Sequence, residues 1–202
     1  MSQTIEIELK NLLTKDEFDK VKRHFSLTDA DFKRQENFYF DTKQRTLASN
    51  HCALRIRKKE EDRYEITLKQ PHEHGLLETN TPLNSEEAEA LIRKNIFPQR
   101  ATQIQTILSS LSIHPNDLKL FGQLVTYRAV VRYANGLLAV DYSCYAGTED
   151  YELEFEVADK QEGAFVFHHL LQTLDIPVRQ TENKIKRFFG QMSSSGGKQN
   201  ET

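Results

Sequence analysis

At 202 residues, 38% of them hydrophobic and 28% charged, the chain has the size and apolar content of one globular domain. Its net charge of −3 gives no support for a general affinity for nucleic acid or membranes, and no apolar run approaches the roughly 20 residues of a membrane helix. Cys52 and Cys144 lie in no metal-ligand spacing and read as free thiols of a reducing compartment, the cytoplasm by default, with no signal-peptide pattern ahead of the first strand.

Ile5 to Lys10 alternates aliphatic and charged residues, the signature of a strand with one apolar and one charged face. Thr14 followed by Glu17 is a capping-box start for a helix continued by Phe18, Val21 and Phe25. Residues 33–41 read as extended, with a turn at Asp41-Thr42, and two strands follow across 53–69 around a polar turn at 60–62. His72 to Gly75 reads as a loop and 76–79 as a short strand carrying Glu78. Helices are expected from Ser85 to about Lys94 and from Gln103 to Leu111. Strands then come at about 119–134, 136–143 and 149–157, the first two joined by a tight turn at Asn135-Gly136. A helix at about 161–174 and a final segment at 177–189 complete a domain of residues 1–190, and 191–202 form a polar tail expected to be disordered.

The charges fall in phase. Arg55, Arg57 and Lys59 share one face of their strand; Arg63, Glu65, Thr67 and Lys69 share one face of the next; Arg128 and Arg132 share another. Tyr151 to Val157 places Glu152, Glu154 and Glu156 together, and Asp141 closes the otherwise apolar strand before it. So many charges cannot point into a dry core, because unpaired buried charge is prohibitive. The apolar faces must therefore meet helices outside while the charged faces line a wet interior. The architecture this implies is α+β, a closed antiparallel barrel of eight strands with a charged interior. Acidic and basic strands side by side suggest a ligand that brings both metal and phosphate.

These residues resemble the CYTH domains, or triphosphate tunnel metalloenzymes, over about residues 3–189. The resemblance runs from Glu6-x-Glu8-x-Lys10 through Asn37-x-Tyr39-Phe40-Asp41-Thr42, Leu54-Arg55-Ile56-Arg57, Thr67-Leu68-Lys69, Glu78, Arg128, Val140-Asp141 and Glu152-x-Glu154 to Lys184-Ile185-Lys186-Arg187. It implies a tunnel of eight antiparallel strands and a Mg2+ or Mn2+ cofactor, a hard cation suited to oxygen ligands. By that resemblance Glu6, Glu8, Glu152 and Glu154 are the metal carboxylates, and Asp141 joins them as a metal-side candidate that reads alternatively as a turn residue. Arg55, Arg57, Lys69, Arg128 and Arg132, with Lys10, Lys184 and Lys186, form the phosphate clamp. Lys10, Glu6 and Glu8 are the catalytic candidates, and Glu65, Glu78 and Glu156 are further candidates. Glu65 reads equally as a salt-bridge partner within the basic wall, and Lys186 with Arg187 as a solvated helix face. His72 and His74 have no third ligand nearby and read as exposed.

The implied function is hydrolysis of a small-molecule triphosphate, inorganic or organic, with no need for a nucleophilic Ser or Cys. Class IV-type adenylyl cyclase activity and non-catalytic polyphosphate or nucleotide binding are the alternatives. No nucleic-acid or membrane partner is expected, and the chain is read as a monomer or homodimer.

Overall fold

Alternation and capping chemistry account for most elements of the computed structural model, which describes residues 2–145, 147–179 and 187, the side chain of Glu61 excepted. Strand β1 (Ser2–Leu13) leads into helix α1 (Lys15–His24). The expected capping box is formed there, with Glu17 N–H donating to Thr14 Oγ1 at 3.3 Å and Thr14 N–H to Glu17 Oε2 at 2.8 Å. Strand β2 (Lys33–Thr42) ends in a four-residue helix, α2 (Thr46–Ser49), that the sequence reading lacks. Asp41 builds it: the buried carboxylate accepts from the N–H groups of Thr42, Leu47 and Ala48 at 2.7, 2.9 and 3.1 Å.

Strands β3 (Ala53–Lys59), β4 (Arg63–His72) and β5 (Gly75–Leu83) follow as antiparallel neighbours. Helix α3 (Ser85–Lys94) is capped reciprocally by Asn84 and Glu87, and α4 (Thr102–Ser110) follows it. Strands β6 (Leu118–Tyr133), β7 (Gly136–Tyr145) and β8 (Thr148–Val157) then lead to α5 (Lys160–Thr173). The strands run in the order β1-β5-β4-β3-β2-β6-β7-β8 and close into a barrel, as the charge phasing requires.

Two compact units divide the chain. The first combines the opening eight residues with Lys33–Thr126. Its core joins Phe40, Leu54, Ile56, Ile66, Leu68 and Leu83 of β2–β5 to Ala88 and Leu91 of α3 and Ile104 and Leu108 of α4. These are the alternate residues to Arg55, Arg57, Thr67 and Lys69, so helices cover one face of the strands and the charges take the other. The second unit combines Leu9–Phe32 with the described residues from Tyr127 onward. Phe18 of α1 meets Tyr151 at 4.9 Å between ring centroids, and Phe167 of α5 stacks on Phe155 at 6.1 Å. The acidic residues of β8 alternate with these aromatics.

Two sequence expectations are corrected. Strand β5 runs well past 76–79, because Glu78, Asn80 and Pro82 stay in register opposite β4. The turn between β6 and β7 is Ala134-Asn135, with Ala134 at φ 47°, and Gly136 is the first residue of β7. Gly136 is there for closeness rather than for turn geometry: a Cβ would lie 2.4 Å from the Glu156 carbonyl oxygen and 2.7 Å from the Phe155 ring. The expected C-terminal tail, 191–202, lies outside the described residues.

Gly136→Ala is accordingly expected to cost about 1–3 kcal/mol through overpacking, read as a lowered thermal midpoint. Gly147→Ala meets no atom within 4 Å and carries only the strain of its φ of +74°. It is expected to lose less, about 1 kcal/mol.

Candidate active site

Within the first unit, the charged face of β3, β4 and β5 is built in cross-strand rows. Arg57 lies opposite Asn37 and Glu65; Arg55 lies opposite Tyr39 and Thr67; Thr67 lies opposite Asn80, and Lys69 opposite Glu78. Lys69 is the hub. Its ammonium hydrogen-bonds Glu6 of β1 and lies 2.6 Å from Glu78 Oε1. Arg55 Nη2 is 3.9 Å from the same Glu78 oxygen, and its Nε is buried without a hydrogen-bond acceptor. Arg57 Nε donates to the buried Asn37 Oδ1 at 2.8 Å, which fixes the guanidinium plane. Asn80 Nδ2 donates to Glu78 Oε2 at 3.3 Å and Thr67 Oγ1 donates to Asn80 Oδ1 at 2.7 Å.

One ammonium serving two carboxylates splits their proton affinities. Burial, only partly offset by Lys69 and reinforced by repulsion from Glu8 and Glu78, pushes the Glu6 carboxyl above its usual range. For Glu78 burial acts in the same direction, but Lys69 and Arg55 outweigh it and bring the carboxyl down to about 2.

The second unit holds two arginine–carboxylate clusters. Arg128 grips Asp141 with a bidentate fork, Nε to Oδ1 and Nη2 to Oδ2 both at 2.7 Å, and Nη2 also bonds Glu154. Asp141 is fully buried and lies opposite Glu152, itself fully buried, in the β7–β8 register. Arg187 donates to Glu152 Oε2 at 2.8 Å and to Asp150 Oδ2 at 3.3 Å. Tyr145 Oη also donates to Asp150 Oδ2, at 2.6 Å. Burial and that hydrogen bond push the Tyr145 phenol up to about 12, so it remains a donor. Asp150 Oδ1 is buried with no partner.

The predicted residues thus fall into clear groups. Glu6, Arg55, Lys69 and Glu78 come together in one unit, as do Arg128, Asp141 and Glu154 in the other, where Glu152 is held by Arg187. Glu8 and Lys10 are half-buried and in phase with Glu6 along β1. Glu65 pairs with Lys59 at 3.4 Å, the salt-bridge alternative, and lies opposite Arg57. Arg132 and Glu156 are exposed near strand ends, and His72 and His74 are exposed as expected. Lys184 and Lys186 lie outside the described residues. Arg187 is no solvated side chain: it is 14% exposed and paired with two carboxylates. Sequence reasoning missed Asp150 and Asn80, and quoted Asn37 in the family motif without giving it a role. Asp150 continues the Glu152, Glu154 alternation and was visible there; Asn80 carries no such signal.

Oxygen donors from Asp and Glu, with the unpaired Asp150 Oδ1 among them, suit a hard divalent cation. Among the described residues no three His, Cys, Asp or Glu side chains converge into a metal cage; Glu6, Glu78, Asp141, Glu152 and Glu154 are instead paired with lysine or arginine. The CYTH domain model matches residues 4–189. This chain belongs to the CYTH domain family. The family's triphosphate tunnel metalloenzymes are metal-dependent. This CYTH chain is 44% identical over 195 residues to the Bacillus subtilis (strain 168) protein named "Putative triphosphatase YjbK", covering 96% of this chain and 100% of that protein. A Bacillus halodurans crystal structure, described as a "putative adenylate cyclase", superposes with a TM-score of 0.89 at 42% identity over 94% of this chain and 100% of the other. The Hippeastrum protein HpAC1, described as having a dominant triphosphatase activity, shares the fold with a TM-score of 0.75 at 20% identity, covering 92% of this chain and 96% of its own. A relative at 44% identity thus carries the name of a triphosphatase, and the Hippeastrum protein shares the fold.

The depressed carboxyl of Glu78 links stability to pH with a definite sign. A folded value near 2 against an ordinary 4.5 contributes stability that is present above pH 4.5 and lost as pH falls toward 2. The difference in urea midpoint between the parent and Glu78→Gln is therefore expected to shrink between pH 6 and pH 3. A difference that stays constant over that range counts against the assignment.

Proposed function

We propose that this CYTH protein hydrolyses a triphosphate with the help of Mg2+ or Mn2+, the substrate being inorganic tripolyphosphate or the triphosphate of a nucleotide or thiamine. The observation that carries this reading is Arg55. Its Nε is a buried donor without an acceptor, on a sheet face where the neighbouring charges are paired. An unmet donor of this kind is costly, and a phosphate oxygen is the acceptor it lacks. The 44% identity to a relative named as a triphosphatase supports the same reading.

In this reading Arg55, Arg57, Lys69 and Arg128 bind the phosphate chain, with Lys10 and the C-terminal Lys184 and Lys186 as further contacts. Asn37 pre-orients Arg57, so less side-chain freedom is lost on binding. Glu6, Glu8, Asp141, Glu152 and Glu154 would hold the cation. When bound, it neutralises charge on the chain and lowers the pKa of an attacking water. Lys69 and Arg128 keep those carboxylates compensated until ligands arrive, and become available to phosphate once Glu6 and Glu154 are otherwise neutralised. The chemistry is positioning and charge stabilisation, which needs no covalent intermediate. No described helix is long and apolar enough to cross a membrane, and the two free cysteines fit a reducing, cytoplasmic setting.

Phosphate release from tripolyphosphate, ATP and thiamine triphosphate is expected in Mg2+ or Mn2+ and absent in EDTA. Arg55→Ala is expected to lower kcat by about 10²-fold or more, and Glu6→Gln to raise the cation concentration needed for half-maximal rate. Cyclic AMP formed from ATP would replace the hydrolase by a cyclase. Parental rates in Glu6→Ala would refute the carboxylate assignment.

A further inference from the structure

Beside the charged hub lies a pair of neutral residues that the family pattern and the proposed chemistry leave without a role. Thr67 and Asn80 face each other across β4 and β5, one row from the Lys69–Glu78 pair and on the same face of the sheet. Thr67 is fully buried and Asn80 half-buried.

Their hydrogen bonds have only one consistent polarity. Glu78, held ionised, can only accept, so the Asn80 atom facing its Oε2 at 3.3 Å must be the amide nitrogen. The amide oxygen then faces Thr67, whose hydroxyl must donate, as it does at 2.7 Å. The order of donors is therefore Thr67 to Asn80 to Glu78. The second oxygen of Glu78 is thereby aimed at two cations, Lys69 Nζ at 2.6 Å and Arg55 Nη2 at 3.9 Å. Glu78 is the shared counter-ion of two side chains proposed to bind phosphate, and a displaced Glu78 misplaces both.

We infer that Thr67 and Asn80 form a positioning relay that fixes the rotamer of Glu78 and, through it, the placement of Lys69 and Arg55 for a triphosphate. The relay deepens the proposed function and rests on it for the identity of the ligand. Neither residue need touch substrate. Asn80 is suited to the task because one side of its planar amide accepts while the other donates. An aspartate there would set a second carboxylate against Glu78, and an alanine would leave Oε2 without this donor. At position 67 serine retains the hydroxyl, whereas valine keeps the shape and loses it.

The test compares Thr67→Val, Thr67→Ser, Asn80→Ala and the Thr67→Val/Asn80→Ala double variant in full-length protein. Steady-state hydrolysis of tripolyphosphate with Mg2+ is measured alongside thermal midpoints and crystal structures. Asn80→Ala is expected to lose about tenfold or more in kcat/KM, the scale of a hydrogen bond to a charged group. Thr67→Val is expected to lose activity and Thr67→Ser to restore most of it. The double variant is expected to fall no further than Asn80→Ala, because the two residues act in series. In the Asn80→Ala crystal, Glu78 is expected to leave its 2.6 Å contact with Lys69.

Losses that add in the double variant, parental activity in Asn80→Ala, or losses in Thr67→Ser equal to those in Thr67→Val would overturn the relay. Failure of the proposed function looks different: the parent itself would neither hydrolyse nor bind tripolyphosphate. The crystal structures then decide the relay alone, and Glu78 unmoved in Asn80→Ala refutes it.

Discussion

Neutralisation of charge between neighbouring strands is the constraint on which the rest of this structure depends. A strand that buries its apolar face against helices must present the alternate residues to the other side, and here those residues are arginines, lysines and carboxylates. The sheet tolerates them because the register sets opposite charges within reach of each other. Lys69 stands opposite Glu78 while also reaching Glu6, and Arg128 grips Asp141 and Glu154. Had the β4–β5 register slipped by one residue, Lys69 would face the helix-covered side and Leu68 the polar one.

The same pairing prepares the chemistry. A carboxylate held against an arginine is desolvated and pre-oriented, as is its partner, so under the proposed function the binding of metal and phosphate would exchange one set of ionic contacts for another. Little water would then have to be stripped and few rotamers fixed anew, which is the condition for electrostatic stabilisation to be effective. The neutral residues Asn37, Thr67, Asn80 and Tyr145 complete the arrangement by fixing the directions in which the charged groups point.

Much of this was legible in the order of the residues. Period-two alternation in Ile5–Lys10, Ala53–Lys69 and Tyr151–Val157 marks the strands and their charged faces, and Thr14-x-x-Glu17 marks a helix start. The barrel followed from the impossibility of burying so much unpaired charge. Some local features were not legible. The helix at Thr46–Ser49 depends on Asp41 gathering three N–H groups, and the extent of β5 on pairing opposite β4. Gly136 reads as a turn residue but serves as a gap beside Glu156 and Phe155, which only the neighbouring strand reveals.

The sequence by itself determined which residue types share a strand face, because side-chain direction alternates with covalent regularity along an extended chain. It thereby determined the inventory of the candidate site, including Glu6, Arg55, Lys69, Arg128 and Glu154. Only the tertiary structure decided the partners. Arg187 lies more than thirty residues from Glu152, and no spacing rule joins them. Glu78 became a shared counter-ion, and Asn80 its support, through a register set by hydrophobic packing on the opposite face of the sheet. Partner choice is a property of packing, and packing depends on residues that carry no charge at all.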